Sequence, residues 1–289
     1  MPSSSAKRTS STNPRILLAL LLLAIGAFAV ALSVGSVAVD WTGVMEGLRG
    51  RGSSVDYAVV IQLRLPRAAT AFVVGGMLGL AGVLMQILLR NPLADPYVLG
   101  VSGGAAVAAL LAILLGWHTV GISGAAAVGA LASMFLVFVL SRGRGDWSTT
   151  RLLLTGVVLA AGWGAVVSFI LAVSPDAHVR GMLFWLMGDI RESFPGWIRL
   201  GILMTSLLIA FGIARSLNLL SLGELRAESL GVNTTLLRVG LFFMAGLLTA
   251  SAVTLAGAIG FVGLVVPHMV RLWGGSDHRL VLPGSVLLG

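Results

Sequence analysis

Residues 64–96 read RLPRAATAFVVGGMLGLAGVLMQILLRNPLADP, and the middle of this stretch decides the fold. Between Arg67 and Arg90 the chain contains no Asp, Glu, Lys or Arg. About 20 apolar residues in a helix are enough to cross the hydrocarbon core of a membrane, which is roughly 30 Å thick. Residues 68–89 therefore predict a transmembrane helix with arginines at its two ends.

The same pattern recurs along the chain, whose 289 residues are 57% hydrophobic and only 10% charged. Soluble domains are about 45–50% apolar and about 25% charged, so the composition excludes a water-soluble globule. The uncharged run 239–270 is too long for one span and breaks naturally at Gly257 to Gly260. The predicted fold class is an all-α polytopic membrane protein with eight spans and the start of a ninth near Leu280. The eight predicted spans are residues 16–39, 68–89, 97–117, 120–140, 152–173, 200–214, 239–255 and 259–273.

Two further patterns concern helices that pack closely or do not span. Glycine is frequent, with 38 residues, and pairs such as Gly75 and Gly79 recur at a spacing of four. Such spacing lets helix backbones approach each other and predicts packing seams between spans, with a pore-lining role as the alternative. Residues 181–188, GMLFWLMG, are too short to cross the membrane and predict an interfacial or re-entrant helix.

Acidic residues are absent from the predicted spans, and this excludes several kinds of activity. All eleven acidic residues lie outside the spans, whereas carriers driven by ion gradients usually need an ionisable residue or a broken-helix ion site at mid-membrane. The single Lys, Lys7, belongs to no G-x-x-x-x-G-K-[ST] phosphate loop, so the chain does not hydrolyse nucleotide. With no Cys and four separated His residues, no metal site and no cofactor are expected. No arrangement of nucleophile and base indicates an enzyme.

The distribution of basic residues predicts an N-terminus on the cytoplasmic side. In this orientation the nineteen Lys and Arg residues divide into twelve on inner segments and seven on outer segments, as the positive-inside rule favours. Residues 1–15, rich in Ser and Thr, predict a disordered tail, and residues 16–289 predict one transmembrane domain. The net charge of +8 in such a protein favours membrane lipid and acidic partners over nucleic acid.

A hydrophilic segment lies between the sixth and seventh predicted spans. Residues 221–238 read SLGELRAESLGVNTTLLR, and Gly223 and Gly231 bracket a short predicted helix. The charged residues of this helix are Glu224, Arg226 and Glu228. A short helix stopped by glycine can dock a partner protein, and a plain amphipathic connector is the alternative. We call residues 221–238 the coupling segment.

Several blocks of sequence, in a fixed order, carry a family resemblance. RLPR is followed by RNPLADP, and these are followed by STTRLLLTG at 148–156, FWLMG at 184–188, LNLLSLGELRAESLG at 217–231, GFVGLVVPHMVR at 260–271 and DHRLVLP at 277–283. Together they resemble the FecCD family, the iron-siderophore, haem and cobalamin permeases of ATP-binding-cassette (ABC) importers. The resemblance covers nearly the whole chain after residue 60.

The resemblance implies a ten-helix bundle of the type II importer class that works as a dimer in the bacterial cytoplasmic membrane. The second permease subunit is a second copy of the chain or a paralogue. The eight predicted spans and part of a ninth then correspond to a permease shortened at its C-terminus. Two further partners are implied, an ABC ATPase subunit and an extracytoplasmic substrate-binding protein.

The resemblance also assigns roles to individual residues. Arg64 and Arg67 match arginines at the outer mouth that dock carboxylates of the binding protein, with arginines that snorkel at a helix end as the alternative. A cytoplasmic gate is expected from Asn91, Leu93, Ser148 and Thr149. Coupling to the ATPase is expected from Gly223, Glu224, Arg226, Glu228 and Gly231. The resemblance implies transport of a ferric siderophore, with haem or cobalamin as alternative cargo and a secondary transporter as the alternative of another class.

Overall fold

The computed structural model describes residues 14–50, 54–142, 148–190 and 196–289. Within these ranges the chain is helical and contains no strand, which confirms the predicted all-α class. A π-helical segment, Ala58–Arg64, joins the third helix to the fourth, and a 3₁₀ helix, Pro96–Leu99, precedes the fifth. The helices are α1 (Pro14–Ser33), α2 (Trp41–Leu48), α3 (Ser54–Tyr57), α4 (Leu65–Leu88), α5 (Val101–Leu114), α6 (Thr119–Ser141), α7 (Thr149–Val173), α8 (Asp176–Met187), α9 (Gly196–Gly212), α10 (Ala214–Ser221), α11 (Glu224–Ser229), α12 (Thr234–Ala256), α13 (Val262–Gly274) and α14 (His278–Leu288).

The span predicted from residues 68–89 is confirmed as α4, which lies at the centre of the bundle. Helices α12, α13 and α14 pack directly against it, and α9 and α1 also contact it. Nearly every residue of α4 from Val73 onward is buried by these neighbours. A lipid-facing span needs only apolar side chains, but a span enclosed by helices needs small ones where backbones approach. This explains the glycines of α4.

Five described helices are long and apolar enough to cross a membrane, and a sixth arises if the bent pair α9 and α10 is one span. Two predicted spans are shorter than expected. At 1.5 Å per residue, α5 and α13 extend only about 20 Å each because they have 14 and 13 residues. Each begins beside residues with left-handed backbone, Gly100 before α5 and Gly257 and Phe261 before α13. The Gly100 conformation interrupts the helix predicted to be continuous over residues 97–117, whereas Gly257 lies at the break that the sequence predicted.

The predicted break at Gly257 to Gly260 is confirmed, since α12 ends at Ala256 and α13 begins at Val262. The short helix predicted at residues 181–188 is also present as α8, which begins earlier, at Asp176. Met182 of α8 is buried in a cluster with residues of α5 and α7. The helix therefore packs onto the bundle.

The described structure begins with α1. Residues 1–13 of the predicted tail lie outside the described residues, and α1 begins at Pro14, where the fixed φ of proline suits the first turn of a helix. Asp56 lies in α3, so the central helix is preceded by helical structure from Ser54. Val55–Leu88 is therefore one continuous apolar helix of 34 residues, longer than the predicted span.

Candidate docking, gate and coupling sites

The predicted gate and coupling residues meet at one end of the bundle. Arg90 follows the C-terminus of α4, Thr149 begins α7, Glu224 begins α11, and Arg238 lies one turn inside α12. Hydrogen bonds and ion pairs connect these four residues. We call this end of the bundle the gate end. Arg64, at the start of α4, lies at the opposite end.

The first gate loop begins with a tight helix end. The Asn91 N–H donates to the carbonyl of Gln86 over 3.1 Å, and the Arg90 N–H donates to that of Ile87 over 3.2 Å. This pattern of bonds is the Schellman motif, whose C′ residue takes a left-handed conformation. Arg90 accordingly has a φ of 48°. The Asn91 side chain then accepts a bond from the Leu93 N–H over 2.9 Å.

The side chains of this loop differ in exposure. Asn91 is exposed, and Leu93 projects outward with 71% of its surface accessible. Asp95, further along, is partly buried and accepts a bond from the Tyr97 N–H over 2.8 Å at the start of the 3₁₀ helix. Burial raises the pKa of the Asp95 carboxyl. Asp95 therefore fixes the far side of the loop and leaves Asn91 and Leu93 at its tip.

The second gate loop ends at the first residue of α7. Ser148 is the residue before the helix, with extended backbone, and it makes no side-chain cap bond. The Thr149 hydroxyl accepts a bond from Arg238 Nη2 over 2.8 Å. The Thr149 side chain therefore connects the start of α7 to Arg238 of α12, a residue that the sequence-based prediction did not include.

The short helix predicted in the coupling segment is confirmed as α11. Gly223 and Gly231 flank it with φ of 118° and 82°, conformations that glycine adopts without steric cost. The Glu224 carboxylate forms ion pairs with Arg238, at 2.9 Å, and with Arg90. Thr234 donates to the Glu228 carboxylate over 2.5 Å. Both acidic side chains are thus bound to the permease itself.

The outward surface of the coupling segment is apolar. The side chains of Leu222, Leu225 and Leu230 are exposed, Leu225 by 84%. Arg226 lies among them and is also exposed. Exposed leucines grouped on one short segment are typical of a protein-interaction surface. This surface is available to a partner, and Glu228 remains exposed beside it although it accepts a bond from Thr234.

The two arginines predicted at the outer mouth line one cavity of about 470 Å³. Arg67 is exposed. The Arg64 guanidinium donates to the carbonyls of Leu32 at 2.8 Å, Ser33 at 2.9 Å and Val37 at 2.5 Å. Those carbonyls lie at and after the end of α1, where helix carbonyls lack partners. Arg64 therefore holds the end of α1 in place, a role that sequence spacing does not reveal.

The sequence analysis also did not single out Gln86, a buried polar residue of α4. The Gln86 amide donates to the carbonyls of Gly263 and Leu264 at 3.3 and 3.2 Å and accepts from Arg271 Nη1 at 2.5 Å. A buried side-chain amide needs hydrogen-bond partners for both its oxygen and its nitrogen. Gln86 does so by joining α4 to α13. The sequence feature that could have indicated this contact is a polar glutamine within an otherwise apolar predicted span.

The comparisons with known proteins identify the family. The model of the FecCD transport family matches residues 20–289. The chain belongs to the FecCD transport family. It is 36% identical over 290 residues to the vitamin B12 import system permease protein BtuC of Shigella boydii serotype 18 and to BtuC of Escherichia coli strain K12 / DH10B, covering 98% of this chain and 86% of each relative.

A solved structure of an ABC transporter assigned to the metal-chelate type, in an inward-facing conformation, has a TM-score of 0.83 and 33% identity to this chain. The match covers 96% of this chain and 87% of that one. The protein is therefore a multi-pass inner-membrane permease of an ABC importer and not an enzyme. ATP is hydrolysed by a separate ATPase subunit, and the permease works with a substrate-binding protein and a second permease subunit.

Proposed function

We propose that this permease imports a metal chelate of the size class of cobalamin or a ferric siderophore. The sequence analysis expected a ferric siderophore, whereas relatives at 36% identity are named for vitamin B12. The structural neighbour is described only as metal-chelate type. All three cargo descriptions share a bulky, largely neutralised metal complex. A path without strong fixed charge suits such a cargo. The cargo then binds no charged side chain of the path from which it must dissociate before release.

The observation that carries this proposal is the surface of α7. Its described side chains are mostly exposed and uncharged between Leu152 and Val173, including Val158 at 68% and Phe169 at 66%. Gly162 and Gly164 face open space. This helix begins at the proposed gate residues Ser148 and Thr149. We infer that a second permease copy covers α7 and that cargo passes between the two copies.

Uptake by proteoliposomes tests the cargo. The permease is reconstituted with its ATPase and binding protein, and ATP-dependent accumulation of cobalamin and of a ferric hydroxamate siderophore is measured in parallel. We expect ATP-dependent accumulation of one of them and none of a simple divalent metal ion. Accumulation of the free metal ion alone would contradict the proposal, because it would indicate a path with its own metal ligands.

The outer docking role is proposed for Arg67 in particular, since Arg64 holds the end of α1. Arg67→Glu should lower the affinity for the loaded binding protein about tenfold, because a close interfacial charge pair becomes repulsive. The measurement is binding-protein capture by permease in nanodiscs at low and high salt. Arg180→Glu is the matched control, since Arg180 is exposed on α8 and undergoes the same charge change. Equal affinities for the two variants would contradict this role.

The remaining roles are proposed together with the membrane orientation. The gate end is proposed to face the cytoplasm with the N-terminus, so that Asn91, Leu93, Ser148 and Thr149 close the path there. Docking onto the ATPase is proposed for the outward leucines of the coupling segment and Arg226. Burial of exposed leucines in a cleft of the ATPase would favour the contact, because removing apolar surface from water drives protein association.

A further inference from the structure

We propose that Glu224 is a positioning residue that ties both gate loops to the coupling segment, through Arg90 on one side and Arg238 on the other. The inference rests on the proposed function of these segments. One carboxylate contacts two guanidinium groups that come from different elements. The first belongs to the residue directly before Asn91. The second donates to Thr149.

The backbone of Arg90 indicates that its side chain is retained for a reason. Arg90 occupies the C′ position of the Schellman motif with φ of 48°. Glycine is the usual residue there because it takes left-handed conformations without strain. An arginine at this position costs backbone energy, which its positive charge beside the helix C-terminus offsets only in part. Its guanidinium, however, reaches the Glu224 carboxylate.

The contact between Arg238 and α7 depends on the same carboxylate. A helix N-terminus carries a partial positive charge, so a cation beside it is unfavourable. The Arg238 guanidinium nevertheless donates to Thr149, the first residue of α7. The Glu224 carboxylate 2.9 Å away offsets that repulsion. Removal of the negative charge should therefore release Arg238 from α7 as well as Arg90 from α11.

These contacts connect the coupling segment directly to the two gate loops. Movement of α11 by the ATPase displaces the Glu224 carboxylate. Arg90 and Arg238 follow it because charge-assisted bonds are short and directional. The two loops then move together. The ion pair with Arg90 is half-exposed, 41% and 33% for the two side chains, and such pairs add little stability. The role proposed for this pair is to fix the position of the first gate loop relative to α11.

The first test is Glu224→Gln in the complete importer. The ATPase should still co-purify, and ATP hydrolysis should persist, because the outward leucines are unchanged. Uptake per ATP should fall about tenfold, within the usual range for coupling between two sites. Amide exchange should rise in residues 89–95 and in the first turn of α7. Glu46→Gln, at an exposed carboxylate of α2, is the matched control.

A second pair of variants keeps the proposal testable if Glu224→Gln folds poorly. Arg90→Gly places the preferred residue at a left-handed position, so thermal stability should be equal or higher while uptake per ATP falls. Amide exchange should rise in residues 89–95 only. Arg238→Gln should raise exchange at the start of α7 only. This separation by loop would not follow from a general loss of structure.

The outcomes of these experiments either support or overturn the positioning role of Glu224. Wild-type uptake per ATP and unchanged exchange in Glu224→Gln and Arg90→Gly would overturn the proposal. Loss of ATPase binding in Glu224→Gln would also overturn it, because the residue would then be part of the docking surface. Failure of the proposed function is distinguishable, since the wild-type importer itself would then accumulate no metal chelate with ATP.

Discussion

Gly82→Leu should prevent the permease from reaching a stably folded state. A Cβ atom on Gly82 would lie 1.9 Å from the carbonyl oxygen of Gly263, at the crossing of α4 and α13. Overpacking of a core costs about 1–3 kcal/mol when neighbouring side chains can move. Here the obstacle is backbone, so α13 itself must shift, and its bonds to Gln86 must break. We expect a cost at or above the top of that range.

The measurement is the melting temperature and the monodisperse fraction of the purified permease in detergent. Gly240→Leu is the matched control, because a Cβ atom on Gly240 of α12 meets no heavy atom within 4 Å. Leucine is a better helix former than glycine by up to about 1 kcal/mol, so the control should melt at the same temperature or higher. Equal melting of the two variants would contradict the close approach of α4 and α13.

Gly231→Val should uncouple ATP hydrolysis from transport. Gly231 ends α11 with φ of 82°, and its N–H donates to the Glu228 carbonyl over 2.9 Å while the Val232 N–H donates to that of Ala227 over 3.0 Å. An L-residue in this conformation costs roughly 1–2 kcal/mol, and a β-branched one more. Valine therefore favours a different end to α11, which displaces the segment that leads into α12.

Uptake per ATP should fall about tenfold, since about 1.4 kcal/mol corresponds to a factor of ten. ATP hydrolysis should continue, because the variant leaves the exposed leucines intact. Gly231→Asn is the matched variant, as asparagine tolerates left-handed backbone, and it should couple nearly as well as the wild type. Normal uptake per ATP in Gly231→Val would count against the coupling assignment.

The features that follow from composition and spacing could be predicted from the sequence. An uncharged run between Arg67 and Arg90 has one stable form in lipid, because only a helix satisfies its own backbone there. The glycines at 257 and 260 marked the break before α13, and those at 223 and 231 marked the ends of α11. In each case both the sequence pattern and the structural feature that it predicts involve residues that are close together in the chain.

The direction of individual side chains could not be predicted. Glu224, Arg226 and Glu228 lie within five residues of one another, yet the Glu224 carboxylate pairs with Arg90 and Arg238 and the Glu228 carboxylate accepts from Thr234, while Arg226 is exposed. The choice depends on which elements lie beside α11. Arg64 is a similar case, since its partners are carbonyls about thirty residues earlier in the chain. No pattern in one sequence encodes such distant contacts.

The most direct test of the account is the energy source for transport. The reconstituted importer is loaded with metal chelate, and uptake is followed with ATP, with a non-hydrolysable ATP analogue, and with an imposed proton or sodium gradient. We predict uptake that requires ATP hydrolysis, the ATPase subunit and the binding protein, and that is indifferent to the gradients. Gradient-driven uptake by the permease without the ATPase would contradict the account.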